Sequence, residues 1–194
     1  MKRILIIGAN GQLARNTTRL LLERDDVELT LYLRRSHRLQ NPDLTRVRIV
    51  EGDATDIDAL ARIMPGHDVV YANLAGDMPR QARCIVEAMA RCGLQRLVFI
   101  SSMGIYGEVP GQHYDSILDP YRDSANVVES SSLDYTVVRP GWFSRGPAGA
   151  LRITHKGEPF IGHDINLDTL SSVIVDLTTS PGKYVRQSIG VSDR

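Results

Sequence analysis

Two glycines and an alanine near the start of the chain have the spacing of a phosphate-binding loop. Gly8, Gly11 and Ala14 form a G-x-x-G-x-x-A string between an apolar run and a helical pattern. The first glycine of such a loop makes the turn, the second lets the backbone approach a pyrophosphate, and the small third residue allows close helix packing. The alternative is a purely structural turn. The predicted dinucleotide-binding residues of this loop are Gly8, Asn10, Gly11, Gln12 and Leu13.

Arg34 and Arg35 follow an apolar run that ends at Leu33. A dinucleotide-binding protein that prefers NAD usually has an acidic residue here, which accepts hydrogen bonds from the ribose 2′-hydroxyl. A guanidinium group can instead pair with a 2′-phosphate. The alternative is that both arginines are solvated side chains at a strand end. The pair therefore predicts a preference for NADP over NAD, with Arg34 the first residue off the strand.

Strands and helices must bring these loops together. Apolar runs of strand length alternate with helical periodicity along the chain, and the first run lacks the polar alternation of a half-exposed strand. Repeated β-α units with right-handed crossovers predict an α/β fold with a doubly wound parallel sheet, the Rossmann fold, in strand order 3-2-1-4-5-6. The predicted strands are residues 3–8, 27–33, 46–50, 68–75, 94–102 and 134–140, with a possible seventh at 187–191.

Several helix ends are also predicted by residue type. Asp77 with Pro79 is typical of a helix start, and Gly93 suits the left-handed residue that closes the same helix. Asp119 and Pro120 predict another helix start. A last helix is expected from about 167 to 179. No element is predicted for the irregular stretch 103–118.

Composition and charge narrow the class of protein. The chain has 194 residues, of which 42% are hydrophobic, and its 23 basic and 23 acidic residues cancel. We therefore expect a globular protein with no nucleic-acid partner. No apolar run approaches the roughly 20 residues of a membrane helix, and a strand begins at once, so we expect no membrane partner and a cytoplasmic location. The two cysteines and five histidines show no metal-ligand spacing, so no metal site is predicted.

Six segments together carry a resemblance to a known family. GANGQLA, LRR, GDATD, NLAG, ISSMGIYG and LDYTVVRPGWF occur in this order along the chain. The chain resembles an atypical short-chain dehydrogenase/reductase of the NmrA-like, NAD(P)-binding group over essentially its whole length. The resemblance implies NAD(P)(H) bound on a Rossmann fold. Some members of the group reduce flavins, quinones or carbonyls, and others only sense the nucleotide.

The resemblance also implies cofactor contacts at the ends of later strands. Asp53 would accept a hydrogen bond from the adenine amino group, unless it caps the next helix, a place that Asp56 can fill. Trp142 with Phe143 would wall the pocket or stack on a flat substrate, unless the two fill the core. The further cofactor-binding residues that the resemblance implies are Asp53, Ala54, Leu74, Ala75, Gly76, Ser101, Pro140, Gly141 and Trp142.

Two residues are implied as catalytic. Ser102 matches the serine that holds a substrate carbonyl, or else satisfies backbone groups at the strand end. Tyr121 resembles the acid of the Y-x-x-x-K motif, in which the lysine lowers the pKa of the tyrosine. Position 125, expected on the same helix face, is alanine, so ordinary Tyr-Lys carbonyl reduction is not predicted. Tyr106 is kept only as a residue that could line the pocket.

We therefore predict a single NAD(P)-binding domain over residues 1–194, with residues 141–194 forming a small extension on the substrate side and leaving the site open or shallow. The expected function is an NADP(H)-dependent oxidoreductase that passes hydride to a small planar or conjugated acceptor such as a flavin, quinone or enone. The alternative is a regulatory protein that senses NADP(H) and binds a protein partner without turnover. Sugar-nucleotide epimerase chemistry is a third reading, disfavoured by the missing lysine. The acceptor and the oligomeric state are left open.

Overall fold

The computed structural model describes residues 1–39, 45–180 and 182–194. Its main sheet has eight strands in the order β3-β2-β1-β4-β5-β6-β10-β8, and the first seven run parallel while β8 runs antiparallel to β10. β7 and β9 form a separate parallel pair. The strands are β1 (Lys2–Ile7), β2 (Val27–Leu33), β3 (Val47–Glu51), β4 (Val69–Ala72), β5 (Arg96–Ile100), β6 (Asp134–Pro140), β7 (Trp142–Ser144), β8 (Arg152–His155), β9 (Asp164–Asn166) and β10 (Gln187–Ser192).

Five α-helices cover the two faces of the main sheet. The buried sides of α1 and α5 pack on the face that carries Ile4 and Ile6, and those of α2, α3 and α4 pack on the face that carries Leu5 and Ile7. Because β1 is covered on both faces, all four of these residues are buried, which explains its continuous apolar run. The helices are α1 (Gln12–Leu22), α2 (Ile57–Ile63), α3 (Met78–Cys92), α4 (Asp119–Glu129) and α5 (Leu167–Thr179).

The predicted Rossmann fold and its strand order are confirmed, and so are several helix ends. The side chain of Asp77 caps α3, and Gly93 closes that helix at a φ of 70°. The Asp56 carboxylate caps α2 by accepting a hydrogen bond from the Ala59 amide. Among the described residues, no helix is long and apolar enough to cross a membrane.

Three strands in the last third of the chain were not predicted. β7 and β9 have only three residues each, and β8 has four, so none offers a readable alternation of apolar and polar residues. Their pairing partners are distant in sequence. β8 pairs with β10, so it can join the main sheet only because β10 already extends that sheet. Within residues 141–194, this pairing places β7 beside the carboxyl end of β6.

Candidate nucleotide-binding and active site

Two clefts adjoin at the carboxyl ends of the parallel strands, on either side of the point where the strand order reverses. The first measures about 380 Å³ and lies over β1, β2 and β3. The second measures about 750 Å³ and lies over β5 and β6. Asn73 and Leu74, directly after β4, line both clefts. A ligand that spans the reversal point of such a sheet would therefore occupy both.

The phosphate-binding loop forms the floor of the first cleft. Gly8 turns the chain at a φ of 79°, a left-handed conformation that glycine adopts without strain. Gly11 precedes the first turn of α1 and provides no side-chain cap. In the described part of the chain, no partner accepts hydrogen bonds from the amides of Gln12, Leu13 and Ala14. These three N–H groups, with the positive end of the helix dipole, are suited to bind an anion.

Two glycines of this loop lie close against Asn73, directly after β4. A Cβ atom on Gly8 would lie 2.0 Å from the carbonyl oxygen of Asn73. A Cβ atom on Gly11 would lie 2.2 Å from Asn73 Nδ2, which belongs to a side chain and not to the backbone. The structure therefore adds a reason for glycine that the sequence did not show: the space above each residue is already filled by Asn73.

Two buried acceptor atoms in the first cleft have no hydrogen-bond partner among the residues that the structure describes. They are Asn10 Oδ1 and Gln81 Oε1, and both residues line the cleft. Gln81 donates through Nε2 to the Ala75 carbonyl oxygen at 3.0 Å. Buried polar atoms are almost always paired in folded proteins, so two unpaired acceptors in one cleft fit a ligand that donates hydrogen bonds.

Three exposed arginines border the opposite side of the first cleft. Arg34 and Arg35 line it as predicted, and a turn of 3₁₀ helix at Ser36–Arg38 brings Arg38 back to the same cleft. Within the described residues, no carboxylate forms an ion pair with any of the three. A group of unneutralised guanidinium groups beside a nucleotide-sized cleft is suited to hold a phosphate.

Asp53 lies at the same end of the first cleft. Its Oδ1 accepts hydrogen bonds from the amide and the hydroxyl of Thr55, both at 2.8 Å. These bonds, and to a smaller extent the charge of Arg34, hold the pKa of the Asp53 carboxyl below its usual value. Since Asp56 caps α2, the alternative that Asp53 caps that helix is wrong. Its Oδ2 has no hydrogen-bond partner in the described residues and remains an acceptor for a ligand amino group.

Ser101, Ser102 and Tyr121 all line the second cleft. Ser101 is buried and donates its hydroxyl hydrogen to the Tyr121 carbonyl oxygen at 3.2 Å. Ser102 is half-buried, and its only hydrogen bond in the described part of the chain goes to the carbonyl of the next residue, Met103. Its hydroxyl would therefore give up only this one hydrogen bond by turning toward a ligand.

Position 125 is not placed as the sequence suggested. Ala125 is fully buried in the core beneath α4 and does not line the second cleft, whereas Tyr121 is half-buried and does. The spacing of four residues puts both on one side of the helix, but only Tyr121 reaches the level of the cleft. A cation near Tyr121 would have to come from another residue.

Tyr106 is also not part of the second cleft. Its hydroxyl donates to the Glu129 carboxylate, and the charged ends of Arg139 and Lys156 lie 5.1 and 4.5 Å from its ring centroid. Arg139 is fully buried and ion-paired with Glu108. Tyr106 does not line the cleft, so the expectation that it could line the pocket is wrong. Arg139 does not line the cleft either, and its charge is neutralised by Glu108.

The segment after β6 forms the outer edge of the second cleft. Pro140, Gly141, Trp142 and Phe143 all line it. Trp142 is 64% exposed and Phe143 is 43% exposed, so the alternative that they fill the core is wrong. A Cβ atom on Gly141 would lie 2.4 Å from the His163 carbonyl oxygen, because the loop packs against β9 there.

The structure brings most of the predicted residues to the two clefts. The first is lined by Gly8, Asn10, Gly11, Arg34, Arg35, Asp53, Ala54, Leu74 and Ala75, and the second by Leu74, Ser101, Ser102, Tyr121, Pro140, Gly141 and Trp142. Gln12, Leu13 and Gly76 line neither: Gln12 and Gly76 are exposed, and the Leu13 side chain is buried in the core. Lining residues that sequence reasoning missed include Tyr32, Arg38, Gln81, His113, Tyr114 and Ile117. Of these residues, only Arg38 could have been found from the sequence, because it is a third arginine three residues after Arg35.

The fold and these clefts define a dinucleotide-binding Rossmann protein. The family profile described as NAD(P)H-binding matches residues 8–181, and the chain belongs to that family. The expected relation to atypical short-chain dehydrogenase/reductases is confirmed by solved structures. One, a short-chain dehydrogenase/reductase from Veillonella parvula DSM 2008 in complex with NADP, is 27% identical and superposes with a TM-score of 0.89 over 98% of this chain and 94% of its own.

Two curated relatives differ from each other in the activity that their names give. An uncharacterized sugar epimerase from Bacillus subtilis (strain 168) is 24% identical over 199 residues, which cover 90% of this chain and 87% of the relative. A (4-alkanoyl-5-oxo-2,5-dihydrofuran-3-yl)methyl phosphate reductase from Streptomyces griseus is 30% identical over 140 residues, covering 72% of this chain and 48% of the reductase. The family relation therefore gives the cofactor class and leaves the reaction to be argued from the site.

Proposed function

We propose that this protein is an NADP(H)-dependent oxidoreductase that passes hydride to a small, planar or conjugated acceptor. The observation that carries the proposal is the continuity of two unlike clefts through Asn73 and Leu74. The first has three arginines with no ion pair to any described residue and a helix N-terminus, and the second has Ser102, Tyr121 and an apolar outer edge. One molecule with a phosphorylated end and a reactive end would fit both.

The residues of the first cleft fit NADP in kind and position. The N–H groups at the start of α1 would hold the pyrophosphate, and Arg34, with Arg35 and Arg38, would hold the 2′-phosphate. Asp53 would accept a hydrogen bond from the adenine amino group. When bound, the cofactor supplies a hydride at its nicotinamide ring, and the protein supplies its position and surroundings.

The preference for NADP is tested at Arg34. Arg34→Ala should raise the Kd for NADPH about tenfold or more, because a charge-assisted hydrogen bond is worth about 1.5 to 3 kcal/mol. The Kd for NADH should change by less than about twofold, since NADH has no 2′-phosphate. Titration of both proteins with both cofactors measures the effect. Arg48→Ala, at an exposed arginine of β3 outside this cleft, is the matched control. Equal wild-type affinities for NADH and NADPH would refute the preference.

The second cleft favours an uncharged, flat acceptor. Among the described residues that line it, none is a lysine or an arginine, and the charged side chain is Asp115. A sugar nucleotide or a phosphate ester would bring an anion into a cleft whose described lining includes no lysine or arginine to pair with it. Exposed apolar side chains at its edge, including Ile117 and Trp142, are typical of a binding surface for apolar molecules. These features favour an acceptor that carries no phosphate group.

Within this cleft, Ser102 can donate a hydrogen bond to a carbonyl group of the hydride acceptor. This bond would stabilise the negative charge that develops on the carbonyl oxygen. Tyr121 lines the same wall, and its place in the motif lacks the lysine partner. A quinone or flavin does not depend on a tuned side-chain acid, because its reduced form can take a proton from water. Oxidation of NADPH by a panel of flavins, quinones and aldehydes, followed by nicotinamide absorbance, tests turnover; binding without turnover would favour the sensing alternative.

Tyr121→Phe tests whether the reaction needs a tyrosine acid. We expect kcat for the best acceptor to fall less than about tenfold, whereas loss of a general acid typically costs about 10² to 10⁴. Ser102→Ala should cost more than Tyr121→Phe, because it removes the donor that positions the acceptor. Steady-state kinetics of the two variants gives the comparison. A loss of about 10³ or more in Tyr121→Phe would contradict this mechanism.

A further inference from the structure

Tyr114 is an exposed aromatic residue that the fold holds in one position. It lies between β5 and α4, lines the second cleft and is 40% exposed. Its hydroxyl donates a hydrogen bond to Asp119 Oδ1 at 2.7 Å and accepts one from Arg122 Nη1 at 2.9 Å. Because these bonds act at the far end of a rigid ring, they fix its orientation before any ligand binds. Stacking on such a ring does not require ordering it first.

Arg122, which is not among the residues lining the second cleft, lies against the Tyr114 ring. Its guanidinium carbon lies 5.4 Å from the ring centroid. Ion pairs with Asp119 at 2.9 Å and Asp123 at 2.7 Å hold the guanidinium there. The ring therefore has a fixed protein cation beside it, while the ring itself lines the cleft and is 40% exposed, so part of its surface is open to a ligand.

Trp142 has a comparable arrangement elsewhere on the cleft edge. Its amide donates to the His163 carbonyl oxygen at 2.9 Å, and the two rings lie 6.5 Å apart at an angle of 29°. His163 does not line the cleft, whereas Trp142 does. Tyr114 and Trp142 therefore each have a neighbouring protein group that does not line the cleft, and each ring is itself an exposed part of the cleft lining.

We propose that Tyr114 is a specificity-determining residue, whose ring selects flat, uncharged bicyclic acceptors of the quinone class by stacking on them. The proposal rests on the proposed function, because it assigns the acceptor to the second cleft. A rigid aromatic surface favours a flat partner over a bulky one of equal hydrophobicity, since only a flat ring system can approach it over its full area. The absence of lysine and arginine from the described lining residues favours an acceptor without charge.

The test uses the single tryptophan of the chain as its reporter. Trp142 is the only tryptophan, so quenching of its fluorescence reports directly on a ligand in the second cleft. The protein, saturated with NADP⁺ to prevent turnover, is titrated with menadione, a flat naphthoquinone, and with camphor, a bicyclic ketone that is not flat. Calorimetry provides an independent Kd of the protein for menadione and for camphor.

Tyr114→Leu keeps an apolar side chain and removes the flat ring. We expect its Kd for menadione to rise about tenfold and its Kd for camphor to change by less than about twofold. Tyr114→Phe keeps the ring and should bind menadione within about threefold of wild type. Leu151→Ala, at an exposed apolar residue outside the cleft, is the matched control and should bind like wild type.

The outcomes separate this inference from the proposed function. If wild type binds menadione and Tyr114→Leu binds it equally well, the role of Tyr114 is overturned and the reductase proposal stands. If Tyr114→Phe loses as much affinity as Tyr114→Leu, the flat ring by itself does not bind the acceptor, and selection by stacking is overturned. If wild type binds NADP⁺ but binds no menadione, the acceptor class and the role of Tyr114 fail together.

Discussion

Gly11→Val should abolish measurable binding of NADPH and NADH while leaving the protein folded. The new side chain would start 2.2 Å from Asn73 Nδ2, and its branches would occupy the space between the loop and the first cleft. The backbone at Gly11 has a φ of −62°, which valine adopts without strain, so the fold should tolerate the change. We expect both Kd values to rise about 100-fold or more, which corresponds to about 3 kcal/mol. Calorimetric titration measures them.

The neighbouring glycine gives a contrasting control. Gly8→Ala would place its Cβ atom 2.0 Å from a backbone oxygen, at a φ of 79° that alanine rarely adopts. Gly8→Ala should therefore lower the thermal unfolding temperature, whereas Gly11→Val should show a wild-type circular dichroism spectrum and unfold within a few degrees of wild type. If Gly11→Val binds nucleotide normally, the loop is only a turn and the first cleft is not the nucleotide site.

Ala125→Lys should destabilise the protein and should not create a Tyr-Lys pair. The alanine methyl group has no exposed surface, so four methylenes and an ammonium group would have to enter a filled core. Overpacking costs about 1 to 3 kcal/mol, and a buried unpaired charge adds to that. We expect a loss of at least about 3 kcal/mol, which lowers Tm by about 6 to 12 °C in a chain of this size.

Asn126→Lys is the matched control for this change. Asn126 is the next residue of α4 and is exposed, so a lysine there should leave Tm within about 1 °C of wild type. Differential scanning calorimetry of the two variants gives the comparison. If Ala125→Lys were as stable as Asn126→Lys and gained aldehyde reduction, a lysine at position 125 would reach the second cleft. The expectation that burial keeps it out of the cleft would then be wrong.

Local patterns were enough to predict the frame of the fold and the general place of the site. The apolar run of β1 predicts a strand buried on both faces, and the Gly8 to Ala14 spacing predicts the loop after it. Once strands are parallel and connected by right-handed crossovers, their carboxyl ends meet at one edge of the sheet. The loops at residues 34–35, 53–54 and 101–102 must then lie along that one edge, although they are far apart in sequence.

The sequence alone determined the Rossmann fold, the phosphate-binding loop and the arginines after β2, because each depends on periodicity or on residue types within one short segment. The resemblance to the family added the cofactor class and the residues expected after the later strands. Only the tertiary structure decided that Asn73 fills the space above Gly11, that Ala125 is buried, and that Tyr114 faces the second cleft. These facts depend on contacts between segments distant in the chain, and on which turn of a helix lies beside the cleft. A spacing of four residues specifies a helix face; it does not specify what lies against that face.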